Sequence, residues 1–145
     1  MRIADTLVEK LLTKSGKVKK EQIEALSDHD AKDKKPLQDL AINANVITEK
    51  DLTKLYAEEI EVPFVELNAK EIKLDVLKQL PERIARQYHA VVFEVEKDGT
   101  KLVAMEAPDD IQALIFLQNK LGRTINVHIT TTRLLQSALV QSRGN

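Results

Sequence analysis

Leu12-Thr-Lys-Ser-Gly-Lys-Val-Lys-Lys-Glu-Gln-Ile23 and Ala41-Ile-Asn-Ala-Asn-Val-Ile-Thr-Glu-Lys-Asp-Leu52 decide how the chain begins to fold, because they play the same parts at an offset of 29 residues. In each, an apolar helical pattern runs into Gly16 or Asn45, then Val18 or Ile47, then polar residues that open a second helix, then Ile23 or Leu52. Glycine and asparagine are the residues that most readily take the left-handed backbone that closes a helix. Thr48 is a good N-cap, with Asp51 placed to serve the first turn; Lys19, at the matching position of the first copy, is a poor one. The pattern predicts two helix-turn-helix units related by a repeat. Chance likeness among short amphipathic helices is the competing explanation.

Between the copies, Asp28-His-Asp-Ala-Lys-Asp-Lys-Lys-Pro36 alternates in charge and lacks apolar periodicity. It reads as a solvated loop ending where Pro36 opens the next helix. Past Glu61 the pattern changes. Val62-Pro-Phe-Val-Glu-Leu67 carries β-branched and aromatic residues and reads as a short strand, with Pro63 near its start, where a missing N–H is tolerated. Pro81 divides Leu74–Tyr88 into two short helices. Asp98-Gly99 between two apolar runs, 90–96 and 101–105, is a hairpin signal. Pro108-Asp-Asp then opens a helix over 111–121 that Gly122 stops, Ile125–Ile129 alternates as a half-buried strand, and Thr132 caps a last helix. These elements predict an α+β fold: a helical repeat over residues 1–61, then a small mixed sheet with helices on one face over 62–145.

Composition narrows the function. The chain has 145 residues, enough for one domain or two small ones; 43% are hydrophobic, 31% charged and 3% aromatic. A net charge of −1 argues against a protein that coats nucleic acid or anionic lipid. The second helices of the two repeats carry as many acids as bases, which does not suit a DNA groove. The absence of cysteine excludes disulfides, thiol catalysis and Cys-ligated zinc. The longest apolar run, Ala113–Leu117, is far short of the roughly 20 residues a spanning helix needs, so the expected setting is soluble and cytoplasmic without membrane insertion.

No catalytic constellation is written in the chain. Gly16, Gly99, Gly122 and Gly144 cannot make a phosphate-binding glycine loop, so the chain is no complete P-loop ATPase. His29, His89 and His128 are scattered without metal-ligand spacing, and no serine sits in a nucleophile elbow. Glu58, Glu59, Glu61 and Glu66 cluster in a segment, 36–73, that holds eight acids against four bases. Exposed carboxylates are ordinarily only solvated, but a local excess of this size also fits a docking face for a basic partner.

The stretch 37–52, followed by Ala57-Glu-Glu-Ile-Glu-Val-Pro-Phe-Val-Glu-Leu67, resembles the N-terminal domain of the type II secretion and type IV pilus assembly ATPases. Leu77-Lys-Gln-Leu-Pro-Glu-Arg-Ile-Ala-Arg-Gln-Tyr88, Leu102-Val-Ala-Met105 and Ala107-Pro-Asp-Asp110 continue the likeness, which covers roughly residues 7–140. The resemblance implies a non-catalytic regulatory domain that docks a motor to the cytoplasmic part of an inner-membrane assembly protein. An ATPase domain would follow it if the chain is a fragment. No metal and no obligatory cofactor are implied. Some members bind cyclic di-GMP through two copies of an R-L-G-x-x-L-x-x-x-G pattern, the second ending in G-x-P-x-x-x-L, which is the alternative function. Carried over position by position, Gly16, Leu37, Leu40, Leu52, Pro63 and Leu67 match. Leu7, Val8 and Glu9 stand where R-L-G is expected, Gln38 and Asn45 replace the two glycines of the second copy, and Glu61 replaces the glycine of G-x-P. Glu9 would set a carboxylate against a dianionic ligand. Glu58, Glu59 and Glu61 are the candidate partner-docking residues.

Overall fold

A computed structural model describes residues 1–16, 18–28, 35–122 and 124–143. It divides into two compact units, Arg2–Ile60 and Glu61–Asn145, the latter joined by Met1.

The first unit holds four helices, α1 (Asp5–Ser15), α2 (Lys20–Asp28), α3 (Leu37–Asn43) and α4 (Glu49–Ile60). The two turns of the repeat close by the left-handed residues expected of them. Gly16 has φ 73° and its N–H donates to the Thr13 carbonyl at 3.2 Å. Asn45 has φ 60°; its N–H donates to Ile42 and the next N–H, of Val46, to Ala41, each at 3.0 Å. This is a Schellman closure. The copies share a capping box between them, one half each. The Thr48 hydroxyl accepts from the Asp51 N–H at 3.0 Å, whereas in the first copy the Gln22 side chain reaches back to accept from the Lys19 N–H at 2.9 Å. The Gln22 N–H, which a capping side chain at position 19 would take, goes instead to the Lys19 carbonyl at 3.0 Å. Helix α3 is capped in trans: Pro36 precedes it as N-cap with ψ 140°, and the Asp5 carboxylate accepts from the Leu37 N–H at 2.9 Å. Helix α1 packs on α3 and α4, and α2 on α3. The apolar stripes Val8–Leu11–Leu12, Leu37–Ala41 and Leu52–Tyr56 are buried, with Val18, Ile23 and Ile47 from the turns and second helices. The charged stretch between the copies lies, from 29 to 34, outside the described residues.

The second unit is a three-stranded sheet with helices. After a 3₁₀ turn, Ala69–Glu71, come α5 (Leu74–Leu77), α6 (Glu82–Tyr88), β1 (Ala90–Val95), β2 (Lys101–Met105), α7 (Ile111–Leu121), β3 (Ile125–Ile129) and α8 (Thr132–Arg143). Strand β2 is central, antiparallel to β1 and parallel to β3, so the sheet is mixed and the fold is α+β. Pro81 separates α5 from α6 by serving as the N-cap of α6. The hairpin turns at Gly99, φ 91°, where the Asp98 carboxylate accepts from the Thr100 N–H at 2.9 Å. A bulge between Val92 and Glu94 interrupts β1. Asp110 caps α7 by accepting from the Ala113 N–H at 3.1 Å. Ala90, Val91, Val92, Val103, Ala104 and Met105 are each 1% exposed or less. Successive strand residues face opposite ways, so this end of the sheet is covered on both faces, whereas Glu94 and Val95 near the turn are exposed. Leu117, Leu135 and Leu139 pack into the same core.

Two sequence readings shift. The segment 62–67 is not a full strand: Phe64 makes a single parallel bridge with Ile129, through Val65 N–H to Ile129 and Ile129 N–H to Pro63. Pro63 can accept there but has no N–H to extend the ladder. The cap of α8 is Thr131, not Thr132. Its hydroxyl accepts from the Leu134 N–H at 3.1 Å, so Thr132 is already inside the helix.

Candidate functional site

Of the residues matched to the dinucleotide pattern, Gly16, Leu37, Leu40 and Leu52 lie in the first unit and Pro63 and Leu67 in the second. Leu37, Leu52 and Leu67 are 5% exposed or less, and Leu40 is half-buried. These leucines are held by packing, so their agreement with the pattern is accounted for by the core alone. Gly16 and Pro63 are exposed.

The glycine positions of the pattern fall into two physical kinds. Residues 16, 45 and 61 all have positive φ, at 73°, 60° and 58°. Glycine there serves the backbone, and asparagine is the next best tenant; Glu61 holds the conformation at a cost of roughly 1 kcal/mol. Residues 9 and 38 lie within α1 and α3, where right-handed helix needs no glycine. A glycine at such a place leaves room for something to approach the backbone. Here Gln38 fills the room. It is 7% exposed, and its Oε1 accepts from the buried Ile3 N–H at 2.9 Å and from Arg2 Nη1 at 3.3 Å. Glu9 projects from an exposed position on α1.

The acids stand differently. Glu58 is exposed near the end of α4, and Glu59 pairs with Lys10 of α1, Nζ to Oε2 3.3 Å, with the lysine side chain 61% and the carboxylate 25% exposed. Between α1 and α4 runs a groove of about 210 Å³ lined by Leu11, Lys14, Ser15, Leu55, Glu58 and Glu59. Its floor is apolar, the buried Leu11 and half-buried Leu55, and its rim is charged. Glu61 is exposed just beyond α4, in the second unit. Sequence reasoning missed Lys14, Ser15 and Leu55, because only the pairing of α1 with α4 brings them beside Glu58. The spacing Leu55–Glu59 on α4, matched by Lys10–Lys14 on α1, is the signal that was available.

Among the described residues no three His, Asp or Glu side chains gather as a metal ion would need, and no helix is long and apolar enough to cross a membrane. His89 ends α6 with φ 51°, and His128 lies edge-on to Phe93 with centroids 5.2 Å apart. His29 lies outside the described residues.

A capped helical repeat is followed along the chain by a small mixed sheet with helices. The MshEN domain model matches residues 60–145, more than half of the chain. The chain belongs to that family, the N-terminal domains of the type II secretion and type IV pilus assembly ATPases. Solved structures extend the likeness to the first unit. A structure of MshE with cdg (cyclic di-GMP) is 24% identical, with 93% of this chain and 97% of that chain covered and a TM-score of 0.70. The N-terminal domain of XpsE is 19% identical in two crystal forms. They cover 97% of this chain and 96% or 97% of the other, with TM-scores of 0.60 and 0.52. At these identities the likeness shows the fold. No curated protein sequence matches the chain.

Proposed function

We propose that the domain is a non-catalytic docking module that couples a secretion or pilus assembly ATPase to the cytoplasmic domain of an inner-membrane assembly protein. The ATPase domain would be its neighbour in the same chain. The site of action is then cytoplasmic, at the inner membrane through the partner. The observation that carries the reading is the α1–α4 groove, an apolar floor flanked by exposed Glu58 and partly paired Glu59, on a domain of this family. Glu61, exposed and one residue past α4 in the chain, is the remaining candidate docking residue.

The test is a titration of the cognate assembly protein's cytoplasmic domain into the wild-type chain and into a Glu58→Lys/Glu59→Lys variant. Reversing two charges on an interface rim should weaken binding at least tenfold, about 1.4 kcal/mol, with more of the loss at low salt. Equal affinities in a variant with unchanged circular dichroism would remove the groove from the interface.

The alternative, a cyclic di-GMP sensor, is favoured by the likeness to MshE with cdg and by the left-handed turns kept at Gly16 and Asn45. Gln38 and Glu9 weigh against it. One fills the approach to the backbone, and the other presents a carboxylate to a dianion. The ligand positions in that reading are Gly16, Leu37, Leu40, Leu52, Pro63 and Leu67.

A further inference from the structure

We draw no further inference here: the strongest candidate, the surface patch that Ile111 and Ile115 form on α7, 69% and 53% exposed, is an unpartnered apolar helix face, and nothing in the structure shows what covers it.

Discussion

Gln38 offers the sharpest quantitative test of how the first unit is held together. Its Oε1 accepts from the buried Ile3 N–H at 2.9 Å, and the residue is 7% exposed. Truncation to alanine removes the acceptor and strands that N–H, at about 1–3 kcal/mol, the cost of an unsatisfied buried donor. Loss of a buried methylene adds about 0.8 kcal/mol, partly offset by the side-chain entropy no longer spent. The sum is about 2 kcal/mol. Gln38→Gly, which restores the residue of the dinucleotide pattern, adds roughly 1 kcal/mol for glycine within a helix, giving about 3. For a unit of this size each kcal/mol moves the melting midpoint by about 4–8 °C. Thermal denaturation followed by helical circular dichroism should therefore drop by about 8–16 °C in Gln38→Ala. Hydrogen exchange at the Ile3 amide should accelerate beyond what global destabilisation explains. A loss under about 0.5 kcal/mol with unchanged exchange at Ile3 would mean that water replaces Gln38 without penalty. Gln38 would then be no structural anchor.

Three further outcomes follow from the local geometry. Glu61→Gly should stabilise the chain by about 1 kcal/mol, since φ 58° is strained for glutamate and ordinary for glycine; a destabilisation in urea unfolding would show that the Glu61 side chain matters more than its backbone. Thr131→Ala should cost about 1 kcal/mol and Thr132→Ala under about 0.5, and the reverse order would return the α8 cap to Thr132. Hydrogen bonds from the Thr100 backbone and side chain hold the Asp98 carboxyl below its ordinary value of 3.8. Its folded-state value is depressed, so its support of the hairpin is fully present above 3.8 and is lost as pH falls through the lower, folded-state value. The Thr100 amide resonance should titrate with a midpoint below 3.8, and a midpoint at or above it would contradict the bond.

What the sequence makes legible here is whatever a residue does to its own backbone. Gly16 and Asn45 close helices, Pro81 breaks one, Asp98-Gly99 turns a hairpin, and Asp110 opens α7, each through a few adjacent residues. What escapes is whatever depends on a partner far along the chain. Asp5 caps α3 from a distance of 32 residues, and Gln38 anchors Ile3 from 35 away. No local pattern announces either. The 62–67 segment has strand-forming composition, yet only Phe64 finds a bridge, because pairing is decided by where β3 lies and by the N–H that Pro63 lacks. The candidate sites divide the same way. The leucines of the dinucleotide pattern coincide with helix periodicity, so sequence could not separate ligand contact from core, and their burial gives the core a sufficient claim on them. Glu58 and Glu59 were visible as acids, but the groove beside them needed α1 to be seen against α4. Lys10, which neutralises part of that rim, is 49 residues from Glu59.

The most direct test of the central claim is a paired calorimetric titration of the chain, once with the cytoplasmic domain of the cognate inner-membrane assembly protein and once with cyclic di-GMP. The docking account predicts saturable heat with the protein at micromolar concentrations and none with the dinucleotide at about 100 μM, where a 1:1 complex would correspond to about −5.4 kcal/mol. Binding of the dinucleotide together with silence toward the protein up to high micromolar concentration would contradict it.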